Sequence, residues 1–149
     1  MMSIKDIVDI FSQVCINHKN INTFKTGDAF QRAVNGNDAY PLAYLVQDFQ
    51  IQTASNGATS FETHSITLEI LDLPKQGEDT SIDMLTDMHS TGLEIIKKIS
   101  EDYKQQVITA DTIIATTVSQ YTDDNCTGVI FEFEVKTPKQ PICTDGRFD

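Results

Sequence analysis

The sequence predicts an α+β fold: a single, mostly antiparallel sheet with two long hairpins, packed on one face by an N-terminal helix and one long central helix. Three observations carry this. Apolar residues recur at helical spacing in two segments, near residues 4–15 and 82–103. Period-two alternation appears in two pairs of segments, each pair flanking a polar turn. The helices cluster at two places instead of separating every pair of strands, which argues against parallel α/β winding.

The first helix is read from Ile4, Ile7, Val8, Phe11, Val14 and Cys15, with Ser3 and Asp6 spaced as a capping box. It is expected to stop near Asn17 to Asn20, where asparagines tolerate a left-handed ending. A short strand is expected around Thr23 to Lys25. Gly27 and Asn35-Gly36 then act as turn formers before Tyr40-Pro41, with the rest of that segment irregular.

From Leu42 to Gln52, Leu45, Phe49 and Ile51 share one parity and Asp48, Gln50 and Gln52 the other, the pattern of a half-buried strand. The return strand turns Ile66, Leu68 and Ile70 one way and Ser65, Thr67 and Glu69 the other. The connection is "ASNGATS", in which Asn56-Gly57 can supply the positive φ angles of a tight hairpin, while the polar residues around it point to a longer, looser tip.

"LPKQGEDTS" ends this hairpin through Pro74 and Gly77, and Thr80 with Asp83 repeats the capping-box spacing. Ile82, Leu85, Met88, His89, Gly92, Ile95, Ile96, Ile99 and Tyr103 then form one stripe of a long helix. Lys97 and Lys98 fall late in it, where cations offset the dipole. The second hairpin joins "VITADTIIATTVSQY" to "GVIFEFEV" through "TDDNCTG"; in its closing strand Phe131, Phe133 and Val135 alternate with Glu132, Glu134 and Lys136.

The 149 residues, 40% of them hydrophobic, show no composition break, so residues 1–149 are read as one domain, with 138–149 a mobile or partner-docked tail. The formal charge of -11 is spread along the chain. It disfavours sequence-specific nucleic-acid binding and anionic membrane surfaces. Cys15, Cys126 and Cys143 are odd in number and widely spaced, as suits free thiols in a reducing compartment. The N-terminus has acidic residues within its apolar pattern and does not read as a signal peptide. No apolar run reaches the roughly 20 residues of a spanning helix.

Nothing in the chain spells out a reaction. His18 reads as a helix-terminal imidazole and His89 as a satisfied, partly buried histidine on the helix stripe; His64 falls on the second strand of the first hairpin. No HxxxH or HExxH spacing joins them into a metal site. Asp123, Asp124 and Cys126 lack the alternating oxygens of a calcium loop, and no histidine near Cys126 in sequence activates it, so the segment reads as a polar turn. "CTDGRFD" is similarly turn-like. Catalytic, cofactor and metal residues are therefore expected to be absent, and the chain is not expected to be an enzyme.

The element order, "AYPLAYLVQDF" leading into a long hairpin, the long helix after "LDLPKQGEDTS", and the closing "DDNCTGVIFEFEVKTPKQPIC" resemble the tail terminator or tail completion proteins at the neck of tailed bacteriophages. The resemblance covers most of the chain. It implies an antiparallel sheet flanked by helices, no catalytic residues, and assembly as a ring, typically a hexamer, on the end of the tail tube. Such a ring stops tube growth and offers a surface to the head connector or other neck proteins. The partners implied are further copies of the chain, the tail tube protein and the connector, with DNA passing through the ring. The implied location is the virion, assembled in the host cytoplasm.

On that resemblance the first hairpin acts through shape, reaching a neighbouring subunit or the tube by strand pairing and by its tip, with Ser55, Asn56, Gly57, Thr59 and Phe61 the interface residues. Glu132 and Glu134, which alternate away from the apolar face, are the acids expected to face the channel. Two rival classes stay open. One is a head completion, other head-tail joining or minor tail protein; the other is an unrelated cytosolic module binding a small molecule.

Overall fold

The computed structural model describes residues 3–28, 39–48, 50–56, 59–73, 81–104, 108–119, 126–138 and 146; at 55, 56, 59, 60, 81 and 108–111 it describes the backbone alone. The order is α1 (Ile4–Asn17), β1 (Thr23–Gly27), β2 (Leu42–Val46), β3 (Gln50–Asn56), β4 (Thr59–Asp72), α2 (Ser81–Asp102), β5 (Ile108–Val118) and β6 (Thr127–Pro138). The six strands form one sheet, in the order β1-β2-β4-β6-β5, with β3 also paired to β4. All pairings are antiparallel except β1 with β2, which is parallel. This is the α+β architecture expected, with both helices on one face of the sheet.

Local signals explain most boundaries. Ser3 Oγ accepts from the Asp6 N–H at 3.1 Å while Asp6 Oδ2 accepts from the Ser3 N–H at 2.8 Å, so the capping box starts α1 as expected. These hydrogen bonds hold the Asp6 carboxyl below its usual range. The other end differs: the capping residue His18 is extended, with φ -77° and ψ 132°, and its N–H bonds the Cys15 carbonyl. The left-handed ending expected from the asparagines is not used. The Thr80 half of the second capping signal lies outside the described residues, as do Asn35-Gly36, Pro74, Gly77, Asp123, Asp124 and Cys143.

The core lies between the helices and the sheet. Ile7, Ile10, Phe11, Val14 and Cys15 of α1 and Met88, Ile95, Ile96 and Ile99 of α2 meet Leu45, Ile66, Leu68, Ile70, Val129, Phe131, Phe133 and Val135 of the strands. Each fully buried aliphatic or phenyl side chain contributes about 1.5–3 kcal/mol. Burial also pushes the Cys15 thiol up to about 12, so it behaves as a small hydrophobe. The stripe of α2 does not begin where the periodicity suggests: Ile82 is 74% exposed, and His89 is exposed rather than partly buried, lying 6.0 Å from the Phe131 ring. Lys97 and Lys98 are not in the last turn. Each faces an acid one turn later, Glu101 at 3.8 Å and Asp102 at 3.3 Å.

Two further departures concern the sheet. The segment expected as one strand from Leu42 to Gln52 leaves the sheet at Gln47 and Asp48, Phe49 lying outside the described residues, and so gives β2 and β3, which pair successive lengths of β4: Leu42–Leu45 with Leu68–Leu71, and Gln50–Asn56 with Thr59–Ser65. The other is a second apolar cluster on the helix-free face, made of Leu42, Tyr44, Val46, Leu71 and Cys126, with Tyr40 and Val118 against it. Glu69, assigned by parity to a polar face, is 1% exposed beside Tyr44 and Ile130 in the ladder. The cluster is anchored by polar contacts: Tyr44 OH donates to the Asp28 carbonyl at 2.6 Å, and the Cys126 thiol to Tyr40 OH at 3.2 Å.

Candidate functional site

Among the described residues, β4 is the longest strand of the sheet, and the β3–β4 hairpin is built on its first half. β4 pairs with β6 without interruption from Phe61↔Pro138 to Asp72↔Thr127, and at about 3.3 Å per residue its 14 residues span on the order of 45 Å. Neither helix packs substantially on β3, and the core cluster stops at Ile66 on β4. β3 therefore stands outside the helical layer, while the helix-side face of β4 and β6 stays buried as far as His64, Val135 and Thr137.

The ladder runs to Asn56↔Thr59. It leaves two residues between the strands, so the longer, looser tip expected from composition is corrected: small polar residues favour turns, but backbone pairing carries Ser55, Asn56 and Thr59 into the strands. Gly57 lies outside the described residues. Phe61 is half-buried and pairs with Ala54 and Pro138, on the face opposite the helices.

On that same face, Glu132 and Glu134 of β6 are exposed as expected, opposite Thr67 and Ser65 of β4. They line an open depression of about 570 Å³ together with Thr112 and Ile114 of β5, Ile114 being 57% exposed. Lys136 continues the row, so the strand presents two carboxylates followed by one ammonium. Among the described residues neither glutamate has an ion-pair partner within 4.0 Å. The structure brings these acids together with the outer surface of β5, and it does not bring them near the hairpin tip residues.

The helical face carries His64, which sequence reasoning left without a role although it shares the parity of Ile66, Leu68 and Ile70. It is 1% exposed, next to Val135 in the ladder. Its Nε2 lies 3.4 Å from Thr137 Oγ1 and 3.6 Å from Glu62 Oε2, and Nδ1 has no hydrogen-bond partner among the described residues. Burial lowers its pKa, with the Glu62 carboxylate opposing the shift. Burial thus favours the neutral imidazole, which lies between β4 and β6 with the Thr137 hydroxyl and the Glu62 carboxylate as its polar neighbours.

A groove of about 290 Å³ runs between α1 and α2. Its polar groups already bind each other. The Asn20 N–H donates to His18 Nδ1 at 3.1 Å, which leaves the ring proton of neutral His18 on Nε2, aimed at Glu94 Oε2 at 2.8 Å. Tyr103 OH donates to Gln13 Oε1 at 3.2 Å. These contacts stitch the helices together. Among the described residues no three His, Cys, Asp or Glu side chains converge as a metal site, and no helix is long and apolar enough to cross a membrane. No protein-family model matches the chain, and no curated protein matches it significantly.

Proposed function

We propose that this chain is a structural subunit of a tailed-bacteriophage virion, of the tail terminator or tail completion type. It works by assembling with copies of itself into a ring at the end of the tail tube, where it stops growth and joins the tube to the neck. The observation that carries the reading is the β3 edge of the β3–β4 hairpin standing outside the helical layer, with a helix-free, partly acidic face beside it. Such a body offers backbone edges and shape to neighbours, and His18, Glu94, Tyr103 and Gln13 in its helical groove are bound to groups of the protein itself rather than poised around a reacting atom. The element order and phrases that resemble neck proteins supply the biological setting, and the absence of an enzymatic role, a cofactor and a membrane partner belongs to the same proposal.

In that ring the face bearing Glu132 and Glu134 lines the DNA channel. A wall in which these carboxylates outnumber the Lys136 ammonium repels phosphate on balance and leaves few cationic contacts to be broken as DNA exits. Native mass spectrometry with negative-stain imaging tests the reading. A closed ring of several subunits, capping purified tail tubes, is the expected result; a monomer at all concentrations that leaves tube length unchanged overturns it.

A further inference from the structure

Among the described residues, two strand edges on opposite sides of the sheet are open; β3 carries no ionisable group and β5 carries Asp111 alone. β3 pairs only with β4, and its residues Gln50–Thr53 are exposed. β5 pairs only with β6, and Thr112, Ile114, Ala115, Thr116 and Thr117 are exposed. Neither strand has a backbone partner beyond its ladder among the described residues. Edge strands of this kind are ordinarily blunted with lysine or proline. Neither residue type occurs in Gln50–Asn56 or Ile108–Val118, and Thr112–Val118 carries no ionisable group at all. The register shift between Thr109 and Ile113 leaves Ile113–Val118 as a regular, open stretch. Each edge also displays a large apolar side chain, Ile51 at 38% and Ile114 at 57% exposure.

We infer that the β5 edge of one copy adds to the β3 edge of the next, continuing one sheet from subunit to subunit. The inference rests on the ring reading above and names the surface that builds the ring. Direction is the first argument. Passing from β3 through β4 and β6 to β5 reverses the chain three times, so β3 and β5 run antiparallel within a subunit. Rotation about an axis along the strands keeps every copy's direction, so β3 meets the next copy's β5 antiparallel, ready for a regular ladder.

Charge is the second argument. Copies of a chain with net charge -11 repel one another, and β3 and the Thr112–Val118 stretch of β5, neither of which bears an ionisable group, let backbones approach there without opposing like charges. Height is the third. Ile51 is level with Val135 and Thr109, whereas the open stretch of β5 begins level with Phe133 and runs toward Gly128. Joining them staggers neighbouring copies along the strand direction, and such a stagger is what closing a sheet on itself requires. Two different edges joined head to tail form a ring or a helix instead of a two-fold dimer.

Cysteines at Gln52 and Thr116, both exposed and on the helix-free face, report the contact through a short bismaleimide. The full-length double variant is expected to give a ladder of covalent multimers, while each single variant and the parent stay uncrosslinked. Ile114→Lys with Thr116→Lys, both at exposed positions, is expected to weaken assembly at least about tenfold by placing charge on the edge while circular dichroism stays that of the parent. A ring that persists in the lysine variant, with no ladder from the double cysteine, overturns the edge pairing and leaves the ring reading standing. Covalent dimers from Thr116→Cys alone overturn it in favour of a two-fold contact. A parent that is monomeric overturns the ring reading and this one together.

Discussion

Gly92 of α2 lies directly over the ring of Phe131 on β6: a methyl group at this glycine would overlap Cε2 and Cζ and come within 2.8 Å of Cδ2. Replacing glycine by alanine in a helix ordinarily gains about 1 kcal/mol. Here the overlap wins, because Phe131 is fully buried and has no free space to swing into. Gly92→Ala is expected to be destabilised by about 1–3 kcal/mol and Gly92→Leu by more, measured by urea unfolding. An alanine variant as stable as the parent would mean that α2 stands further from the sheet.

Gly128 makes a related contact with a harder neighbour. A Cβ there would meet the Ile70 carbonyl oxygen and come within 2.9 Å of Leu71 Cα, both on the β4 backbone. Backbone in the middle of a sheet yields less than a side chain. Gly128→Ala is therefore expected to cost at least as much as Gly92→Ala, about 2–3 kcal/mol, and to loosen the β4–β6 ladder. Amide exchange at Ile70 and Leu71 reads this directly; unchanged protection there would contradict it.

Stability should depend on pH through His64. The unfolded side chain takes up a proton near pH 6.5, while burial delays this in the folded protein. Below about 6.5 the unfolded state thus binds more protons, so stability rises with pH across this window and is lost as pH falls, by up to about 1.4 kcal/mol per unit. Glu62, 3.6 Å away, moderates the loss. His64→Leu should flatten this slope between pH 5 and 6.5, as followed by denaturant midpoints; an unchanged slope would assign it to other groups. The Asp6 capping carboxylate acts in a separate, more acidic window, losing its contribution as pH falls below its ordinary value of 3.8.

Thiol chemistry offers an independent check on the core. Cys15 and Cys126 are fully buried, and Cys15 is held protonated far above neutral pH. Iodoacetamide at pH 8 should leave both unmodified in the folded protein and alkylate them in guanidinium, as peptide mass spectrometry would record. Fast native labelling of Cys15 would show that α1 detaches readily from the sheet.

The sequence disclosed those elements whose pattern is local. Ser3 with Asp6 marks a helix start wherever the chain goes afterwards, and the alternation of Phe131, Glu132, Phe133 and Glu134 declares a strand with one buried face. What it disclosed less clearly depends on distant neighbours. "LAYLV" is apolar at every position, a sign of burial on both faces, yet the same run also fits a one-sided strand start, so the second cluster around Tyr44 and Glu69 went unseen. Ile82 continues the stripe of α2, but the sheet does not extend beneath it. For the site, Glu132 and Glu134 were legible through parity alone. The open edges of β3 and β5 were not, since strand order is a property of the whole sheet.

The pairing of β4 with β6 joins residues as far apart in the chain as Phe61 and Pro138. Loop closure over such separations slows folding, and contact order is correspondingly high. While a ribosome is still making the segment before residue 127, β4 has β2 and β3 on one side and bare backbone on the other, beside the apolar surface that β6 will cover. Nascent subunits are then exposed to mispairing with one another. Among the described residues, the last strand to be synthesised is the one that closes the centre of the sheet, so chains ending before it have no finished β5 edge. In the proposed ring, translation itself would thereby keep incomplete subunits out of the assembly.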